Sequence, residues 1–351
     1  MQKIAVGLVG ITGYAGMELA RLLAQHPQMR LVMACSRAEA GRRLGEYYPF
    51  LENLPGADVR ISVFEPEAAA RICEIVFLAV PAGTAMKMTP PLLKGGVKVV
   101  DFSADCRLDD SQIYEEWYKQ PHEAAELLPK AVYGLPEIYA KEIAQTSLVA
   151  NPGCYPTSII LGLAGPLRNE FIEPDGIIAD SKSGATGAGR KPQVPTIFSE
   201  VADNFRAYGL PRHRHTPEIE QELGKLAGKS MCISFTPHLV PMNRGILSTV
   251  YARLRDPSLT AEQITEACRE TWRDHPWIRV LPAGKLPETR YVRGTMFCDL
   301  SYVVDKRTDR LVILSVIDNL CRGAAGQAMA NANLMAGLPV STGFTGTAPL
   351  F

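Results

Sequence analysis

The chain has 351 residues, and its 37 lysines and arginines balance 37 aspartates and glutamates, so its formal net charge is zero. This balance argues against a protein that coats nucleic acid or binds an anionic membrane surface, although it leaves room for one local phosphate site. A hydrophobic content of 46% supplies enough material for packed cores, and the length fits two domains or one large α/β barrel.

The first 150 residues alternate short apolar runs with helical patterns. Strands are predicted, in chain order, over residues 4–9, 31–35, 75–79, 97–101 and 148–150. Helices are predicted over residues 16–25, 66–73 and 85–94. Strands that alternate with helices favour a parallel sheet that binds ligands at the carboxyl ends of its strands. We therefore expect a Rossmann-type domain over residues 1–150.

A glycine-rich turn follows the first predicted strand, in the sequence GLVGITGYAGMEL of residues 7–19. Gly10, Gly13 and Gly16 have the spacing G-x-x-G-x-x-G, which differs from the strict dinucleotide fingerprint. Glycines let backbone N–H groups approach a phosphate, and the helix that follows offers free N–H donors at its N-terminus. A tight structural turn is the alternative, but the position after the first strand favours dinucleotide binding.

The end of the second predicted strand discriminates between nicotinamide cofactors. An NAD-specific fold usually has a carboxylate there, which binds the ribose hydroxyl. This chain instead has Ser36 and Arg37, with Arg42 and Arg43 close behind. Hydroxyl and guanidinium groups suit a 2′-phosphate, so NADP is favoured. The alternative is that these arginines are solvated surface charges.

After Asn151 the pattern changes to longer, alternating strands. They are predicted over residues 177–181, 231–235, 247–254, 291–304 and 311–317, with helices over 156–169, 217–226 and 261–272. This pattern indicates an α+β domain with a mixed sheet, whose long strands favour a homodimer or homotetramer. The last helical run, residues 324–337, consists largely of small residues, and we expect it to return to the first domain.

Cys154 lies in the sequence NPGCYPT of residues 151–157, between a predicted strand and an apolar helix. A cysteine at a helix N-terminus has a lowered thiol pKa and backbone N–H groups that can hold an oxyanion. We therefore expect Cys154 to be a nucleophile and the other seven cysteines to be inert. No CxxC pair or zinc-finger spacing occurs, so no metal site is expected, and reduced thiols favour a cytoplasmic protein.

A thiolate nucleophile needs an acid/base partner, and the sequence HRHTPEIEQEL of residues 213–223 offers one. His215 should lie just outside a helix capped by Thr216, with Glu218 close enough to orient the imidazole. We favour His215 as the acid/base and place His213 second. Arg214 is a candidate for holding a substrate carboxylate or phosphate. His238 is a weaker candidate for the acid/base.

A third glycine-rich segment, DSKSGATGAGRKP of residues 180–192, follows a predicted strand of the second domain. Its Ser183 and Gly184 are candidates for substrate binding, because hydroxyl and backbone donors suit a loop that closes over an acidic substrate. The alternative is a flexible surface loop.

Taken together, six motifs resemble the bacterial N-acetyl-gamma-glutamyl-phosphate reductases over most of the chain. The motifs are GITGYAGMEL at 10–19, SR at 36–37, NPGCYPT at 151–157, SGATGAGR at 183–190, HRHTPEI at 213–219 and FTPHLVPMNRGI at 235–246. The resemblance implies that NADPH reduces N-acetylglutamyl 5-phosphate to the 5-semialdehyde, with release of phosphate, in arginine biosynthesis. It also implies the architecture of the aspartate-semialdehyde dehydrogenases: a Rossmann domain over 1–150, a catalytic and oligomerisation domain over 151–317, and a C-terminal segment from about 318 to 351 that packs on the first.

The resemblance also implies roles for individual residues. Cys154 would form a thioester and His215 would supply the proton as the aldehyde forms. Gly10 is a cofactor candidate from the glycine turn itself, and the resemblance carries cofactor contacts over to Thr12, Gly13, Tyr14, Ala15, Gly16, Ser36, Arg37 and Asn319. Ser158 stands where Gly or Ala is expected, a change to which we assign no consequence.

Three other functions remain open from the sequence. A related reductase could act on aspartyl phosphate or on a carrier-bound aminoadipyl phosphate. A non-catalytic NADP-binding redox sensor is disfavoured by the presence of His215, Glu218 and the 183–190 loop. A nucleic-acid-binding protein is disfavoured by the neutral charge.

Overall fold

The computed structural model describes residues 3–344, 346 and 348, and these divide into two compact units. The first unit comprises residues 3–152 and 324–344, and the continuous part of the second comprises residues 153–323. The predicted C-terminal segment, 318–351, therefore begins in the second unit, and its residues 345, 347 and 349–351 lie outside the described part. In the described part of the chain, no helix has both the length and the apolar character needed to cross a membrane.

A seven-stranded parallel sheet forms the centre of the first unit. Its strands are β1 (Ile4–Val9), β2 (Met29–Cys35), β3 (Ile61–Ser62), β4 (Ile75–Leu78), β5 (Lys98–Asp101), β6 (Val132–Tyr133) and β7 (Leu148–Ala150). Their order is β3-β2-β1-β4-β5-β7-β6. All four residues of β4 are buried, as expected for a parallel strand that is covered on both faces. The predicted Rossmann-type sheet is confirmed.

Seven α-helices belong to the described part of this unit. They are α1 (Tyr14–Ala24), α2 (Leu44–Tyr47), α3 (Pro66–Ile72), α4 (Ala85–Lys94), α5 (Ser111–Tyr118), α6 (Pro136–Gln145) and, from the end of the chain, α11 (Gly326–Met335). Helix α11 packs against α6 and α1. Its Asn331 side chain donates to the carbonyl oxygen of Gly134 at 2.9 Å and comes so close that a Cβ at Gly134 would lie 2.4 Å from the amide nitrogen. The close approach of α11 to this part of the first unit thus depends on the missing side chain of Gly134.

A mixed sheet forms the centre of the second unit. Its strands are β8 (Ile177–Gly184), β9 (Arg206–Ala207), β10 (Ile233–Val240), β11 (Ile246–Arg253), β12 (Ile278–Val280), β13 (Cys298–Asp305) and β14 (Arg310–Ile317), in the order β12-β13-β14-β11-β8-β10-β9. The helices are α7 (Cys154–Arg168), α8 (Phe198–Val201), α9 (Thr216–Ala227) and α10 (Ala261–Thr271). Burial alternates along β8, β10 and β11, so one face of the sheet packs on helices. The predicted mixed sheet is confirmed.

Helix α7 is the central helix of the second unit, since every residue from 155 to 167 is buried. A helix that is apolar on all sides belongs in a core. Gly162 and Gly165 let it approach its neighbours: a Cβ at Gly165 would lie 2.9 Å from the Cys268 sulfur. Ser158 faces the sheet, where its hydroxyl bonds the Ser248 and Ser315 hydroxyls at 2.9 and 3.1 Å. The serine at position 158, where Gly or Ala was expected, therefore has buried hydroxyl partners that the sequence analysis did not anticipate.

Two predicted strands differ from the structure. The strand predicted over 291–304 is shorter, because a 3₁₀ turn (Thr289–Tyr291) and Gly294, at φ 72°, interrupt the chain before β13 begins at Cys298. The strand predicted over 231–235 instead runs from Ile233 to Val240. Apolar residues in a buried turn resemble a strand in sequence, and this explains the first error.

The start of α9 also differs from the prediction. Thr216 is its first residue, His215 occupies the N-cap position, and no side-chain cap is made. The Thr216 backbone N–H donates to the His213 carbonyl at 2.9 Å, which continues the turn towards the helix. The prediction that Thr216 caps this helix is therefore wrong, although Pro217 still lies in the first turn, where its missing N–H is harmless.

Candidate active site

The glycine turn of the first unit is built by close backbone contacts. Gly10 has φ 86°, and a Cβ there would lie 2.1 Å from the carbonyl oxygen of Ala79. A Cβ at Gly16 would lie 2.3 Å from the Gly10 carbonyl oxygen. Gly13 caps α1 without a side-chain bond, and no acidic residue lies in the first turn of the helix. The turn therefore presents helix N–H donors with no competing carboxylate, which fits the phosphates of a dinucleotide.

Two of the arginines near the second strand are held by acidic side chains. Arg42 binds Glu39 at 2.8 Å. Arg43 binds Glu52 at 2.7 Å and Asp58 at 3.0 Å. Both guanidinium groups thus already have carboxylate partners.

Ser36 and Arg37 differ from them. Arg37 is exposed, and neither its guanidinium nor the Ser36 hydroxyl makes a hydrogen bond or ion pair with the described residues. The Ser36 backbone N–H donates to the Ser62 carbonyl at 3.0 Å, which fixes the position of this pair at the end of β2. These two side chains are thus available to bind a phosphate group.

Cys154 is the first residue of α7 and is partly exposed. Gly153 forms the N-cap at φ −69° and ψ 155°, and the first turn contains no acidic residue. Behind the cysteine, a Cβ at Gly323 would lie 2.7 Å from the Cys154 Cβ. The cysteine backbone is therefore packed against a glycine from the end of the unit, a partner that the sequence analysis missed.

His215 lies directly beside the cysteine turn. A Cβ at Gly153 would lie 2.6 Å from the His215 Nε2 atom and 2.9 Å from its Cε1 atom. The missing side chain of Gly153 therefore makes the space in which the imidazole sits. Since Gly153 precedes Cys154, the predicted acid/base and the predicted nucleophile are brought together.

Glu218 contacts the same turn from α9. It is 1% exposed, and its Oε1 atom accepts the backbone N–H of Gly153 at 2.8 Å. A buried carboxylate that accepts an N–H makes a strong, charge-assisted bond. Glu218 thus fixes the backbone that carries Cys154, and it removes the Gly153 N–H from the set of donors that an oxyanion could use.

His213 is half-buried and lies 4.9 Å from His215 between ring centroids. Its Nδ1 atom accepts the backbone N–H of His215 at 3.1 Å. Burial, and then the neighbouring Arg214 charge, lowers the pKa of His213 to about 4. His213 is therefore neutral near pH 7, and Arg214 itself is exposed.

The predicted 183–190 loop begins inside β8 rather than after it. Ser183 and Gly184 are the last two residues of that strand and are buried. The Gly184 N–H donates to the Gly245 carbonyl at 2.9 Å. Asn319 joins the same two segments, because its Oδ1 accepts the Gly245 N–H at 2.8 Å and its Nδ2 donates to the Thr186 hydroxyl at 2.9 Å. Asn319 therefore has a visible structural role in holding this loop.

His238 lies on β10 and contacts Asp180 of β8. Its Nδ1 atom is 3.1 Å from Asp180, which also binds Lys182 at 2.8 Å. These three side chains lie on the same face of the second sheet, the one that is not covered by helices. The structure thus places the His238 imidazole beside a carboxylate of the second sheet.

A polar loop of the first unit was also missed by the sequence analysis. Ser103 donates its hydroxyl to Asp101 at 2.8 Å, and burial, followed by the Asp105 charge, raises the pKa of Asp101 to about 7. Arg107 donates to the carbonyl oxygen of Asn151 at 2.7 Å and so braces the start of the NPGCYPT motif. The signal was present, since DFSADCR directly follows a predicted strand at its carboxyl end.

Within the described residues, no three His, Cys, Asp or Glu side chains are grouped so that they could hold a metal ion.

Comparisons with known families match both units. The profile described as "Semialdehyde dehydrogenase, NAD binding domain" matches residues 5–146, and "Semialdehyde dehydrogenase, dimerisation domain" matches residues 154–319. Two curated relatives are both called N-acetyl-gamma-glutamyl-phosphate reductase. The protein from Desulfotalea psychrophila is 50% identical and that from Geobacter sulfurreducens 48%, each over 99% of both chains.

Solved structures share the fold at low sequence identity. Aspartate semialdehyde dehydrogenase II from Vibrio cholerae, complexed with ASA, has a TM-score of 0.73 at 18% identity and covers 96% of this chain and 99% of its own. Aspartate semialdehyde dehydrogenase with NADP from Candida albicans has a TM-score of 0.70 at 18% identity, with 95% and 99% covered.

Proposed function

The chain belongs to the N-acetyl-gamma-glutamyl-phosphate reductase family, and we propose that it carries out the family's reaction with NADPH through a thioester on Cys154. It reduces N-acetyl-γ-glutamyl phosphate to N-acetylglutamate γ-semialdehyde and releases phosphate, a step of arginine biosynthesis. Relatives of about 50% identity share this name, and they do not favour an aspartyl or aminoadipyl substrate. The observation that carries the mechanism is the His215 imidazole against Gly153, beside the first residue of α7.

The first half of the mechanism forms the thioester. His215 accepts the thiol proton of Cys154, and the resulting thiolate attacks the acyl carbon of the substrate. The C–S bond forms as the C–O bond to phosphate breaks. The N–H groups of Cys154 and Tyr155, in the first turn of α7, point out of the helix end and stabilise the oxyanion that develops. Glu218 keeps this turn in place through the Gly153 N–H.

The second half releases the aldehyde. A reduced nicotinamide cofactor supplies the hydride that converts the thioester to a thiohemiacetal. The same helix N–H groups hold its oxygen while the C–S bond breaks. His215 returns the proton to the leaving thiolate, which restores Cys154. Dividing one difficult displacement in two in this way is the general advantage of covalent catalysis.

The reverse reaction tests the substrate. The protein is supplied with N-acetylglutamate semialdehyde, NADP and phosphate, and the absorbance of the reduced nicotinamide is followed. We expect a signal that requires phosphate and is absent with aspartate semialdehyde. A signal with aspartate semialdehyde alone would replace this function with the sister activity.

The proposed cofactor is NADPH, which would be held by Gly10, Gly13 and Gly16 at the start of α1 and by Ser36 with Arg37 at the end of β2. Two observations support it: the glycine turn has no room for Cβ atoms at two of its positions, and Arg37 has no ion-pair partner among the described residues. Thr12, Tyr14 and Ala15 belong to the same turn, between Gly10 and Gly16 in the sequence.

Arginine variants test the choice of cofactor. Arg37→Gln should raise the KM for NADPH by about tenfold or more, because a charge-assisted bond to the 2′-phosphate is lost, and leave the KM for NADH unchanged. Arg42→Gln is the matched control, since Arg42 is already bound to Glu39. Equal effects of the two variants on NADPH would overturn the assignment.

A homodimer through the second sheet is the proposed assembly. Ile178 is 37% exposed on the face that the helices leave uncovered, next to Asp180 and Lys182. The profile that matches this unit is described as a dimerisation domain. Light scattering should give twice the chain mass for the protein and a lower mass for Ile178→Arg. An unchanged mass for the variant would contradict this interface.

A further inference from the structure

His213 lies in a ring of aromatic side chains at the start of α9. Edge-on contacts join its ring to those of Tyr155, Tyr208 and Phe235, with centroid distances of 5.6, 5.5 and 5.3 Å. His215 adds a fourth edge-on contact at 4.9 Å. An imidazole held on several sides has little freedom to rotate. Its two nitrogens therefore have fixed directions.

The Nδ1 atom of His213 acts as an acceptor. It receives the backbone N–H of His215, two residues later, at 3.1 Å. This bond needs an unprotonated Nδ1, and burial, reinforced by Arg214, lowers the pKa of His213 to about 4. The geometry is that of an Asx turn, in which a side-chain oxygen accepts the N–H two residues on. His213 is thus suited to hold a backbone N–H and poorly suited to donate a proton near pH 7.

The N–H that His213 receives belongs to the proposed acid/base. His215 is the N-cap residue of α9, and its imidazole occupies the space beside Gly153. Fixing its N–H restricts the backbone rotation that sets the direction of its side chain. A shift of about 1 Å at such a position can cost a hundredfold in rate.

We propose that His213 is a positioning residue, a neutral acceptor that holds His215 against the cysteine turn. This inference rests on the proposed roles of Cys154 and His215. The two histidines would then have different roles: His215 exchanges the proton, and His213 holds His215 in position.

The aromatic side chains around His213 also contact helix α7, which begins at Cys154. Tyr155 directly follows the nucleophile, and its hydroxyl donates to the His238 carbonyl at 3.1 Å. The Tyr208 hydroxyl donates to that of Tyr155, also at 3.1 Å. The ring that packs on His213 is therefore itself anchored, so the start of α7 and the start of α9 are positioned by one cluster.

Two substitutions separate positioning from proton transfer. His213→Asn places an amide oxygen near the Nδ1 position and preserves the turn, whereas His213→Phe preserves a packed ring without an acceptor. We expect the Asn variant to keep about a third or more of kcat with an unchanged pH profile. The Phe variant should lose about tenfold to a hundredfold in kcat, with a KM for the semialdehyde within about twofold of wild type.

The outcomes are distinguishable. If His213 exchanges the proton itself, both variants lose kcat equally and the pH profile of the Asn variant changes, which overturns the proposal. If the Phe variant retains full kcat, the hydrogen bond is dispensable and the proposal is also wrong. Should His213→Phe fail to fold, His213→Gln replaces it, because its longer side chain cannot form the same turn, and the same loss of kcat is expected.

A failure of the proposed function would look different. Wild-type protein without phosphate-dependent turnover, or Cys154→Ala with substantial turnover, would remove the chemistry on which this inference rests. The comparison of Asn with Phe at position 213 is made only between variants of an active enzyme, so its result concerns His213 alone.

Discussion

Helices α1 and α7 begin with the same backbone. Gly13 caps the first at φ −76° and ψ 162°, and Gly153 caps the second at φ −69° and ψ 155°. Neither cap uses a side chain, and neither first turn contains an acidic residue. Both helix ends therefore offer N–H donors and a partial positive charge to an anion. Tyr14 and Cys154 are the corresponding first residues.

The surroundings of the two turns differ. The closest neighbours of Gly10, Gly13 and Gly16 are backbone atoms, whereas the cysteine turn is contacted by the His215 ring and by the Glu218 carboxylate. Backbone donors alone can bind a phosphate and leave it unchanged. A reaction at the same kind of helix end needs a nucleophile and a proton acceptor, which only side chains supply. This difference separates a binding turn from a reacting one.

Substitution of the first helical residue should give the largest effect. Cys154→Ala removes the nucleophile, and we expect kcat to fall by at least about 10³. Tyr14→Ala, at the same position of α1, should change kcat by no more than about twofold and act mainly on the KM for the cofactor. Steady-state kinetics of the reverse reaction measure both. Comparable losses of kcat in the two variants would contradict the view that only the cysteine turn takes part in the chemical step.

Removal of the proton acceptor should give the next largest effect. His215→Ala is expected to lower kcat by about 10² to 10⁴, the usual contribution of general acid/base catalysis. Cys154 should still be acylated, only more slowly, because the helix end that holds the oxyanion is intact. A wild-type kcat in this variant would show that the imidazole beside Gly153 takes no part in the reaction.

The two N-cap glycines allow a matched pair of substitutions. A Cβ at Gly153 would meet His215 Nε2 at 2.6 Å, whereas a Cβ at Gly13 meets nothing closer than the Gly10 oxygen at 3.6 Å. Gly153→Ala should therefore displace the imidazole and lower kcat about tenfold to a hundredfold. Gly13→Ala should fold normally and keep kcat within about twofold. The comparison fails if the alanine at 13 is the more damaging to kcat.

Acid should weaken the second unit through His213. Its pKa is about 4 in the folded protein and near 6.5 in the unfolded chain, so the unfolded state binds more protons between these values. Stability is then fully present above about pH 6.5 and falls as the pH approaches 4. His213→Asn should show a shallower fall in melting temperature over this interval, with parallel curves above pH 7. Identical slopes would contradict the neutral state of His213.

The smallest effect is expected for a substitution at Ser158, between α7 and the second sheet. Ser158→Ala removes a hydroxyl that bonds Ser248 and Ser315 in the core, and it should lower the free energy of unfolding by about 1 kcal/mol without changing kcat. Ser258→Ala, on an exposed residue, is the control. A loss of activity would mean that the serine cluster reaches the reacting residues.

The same two turns show what the sequence could predict. The glycine turn is local: Gly10, Gly13 and Gly16 lie within one motif, and their spacing after an apolar strand was sufficient to place it. At the cysteine turn, the nucleophile and the histidine motif could be recognised, but Glu218 and Gly323 contact it from distant parts of the chain. Sequence spacing carries no information about such contacts, because tertiary packing creates them.

The cofactor arginines and the acid/base illustrate the same limit. The sequence favoured Arg37 as the cofactor arginine by its motif, and the ion pairs of Arg42 and Arg43 are a difference that only the structure reveals. The choice between His213 and His215 was likewise open, and their different contacts support the separate roles that we propose for them. The order of strands and helices read from hydrophobic periodicity predicted both sheets. The start of β13 and the cap of α9 were not predicted, because they depend on local turns that this periodicity does not resolve.

Acylation of Cys154 is the step of the proposed mechanism that can be observed on the protein itself. The protein is mixed with N-acetylglutamate semialdehyde and NADP without phosphate, and the intact mass and peptide map are measured alongside the absorbance burst. The account predicts about one N-acetylglutamyl group per chain on the peptide that contains Cys154, with about one reduced cofactor formed per chain. Turnover on addition of phosphate without any acyl group on Cys154, or with the group on another residue, would contradict it.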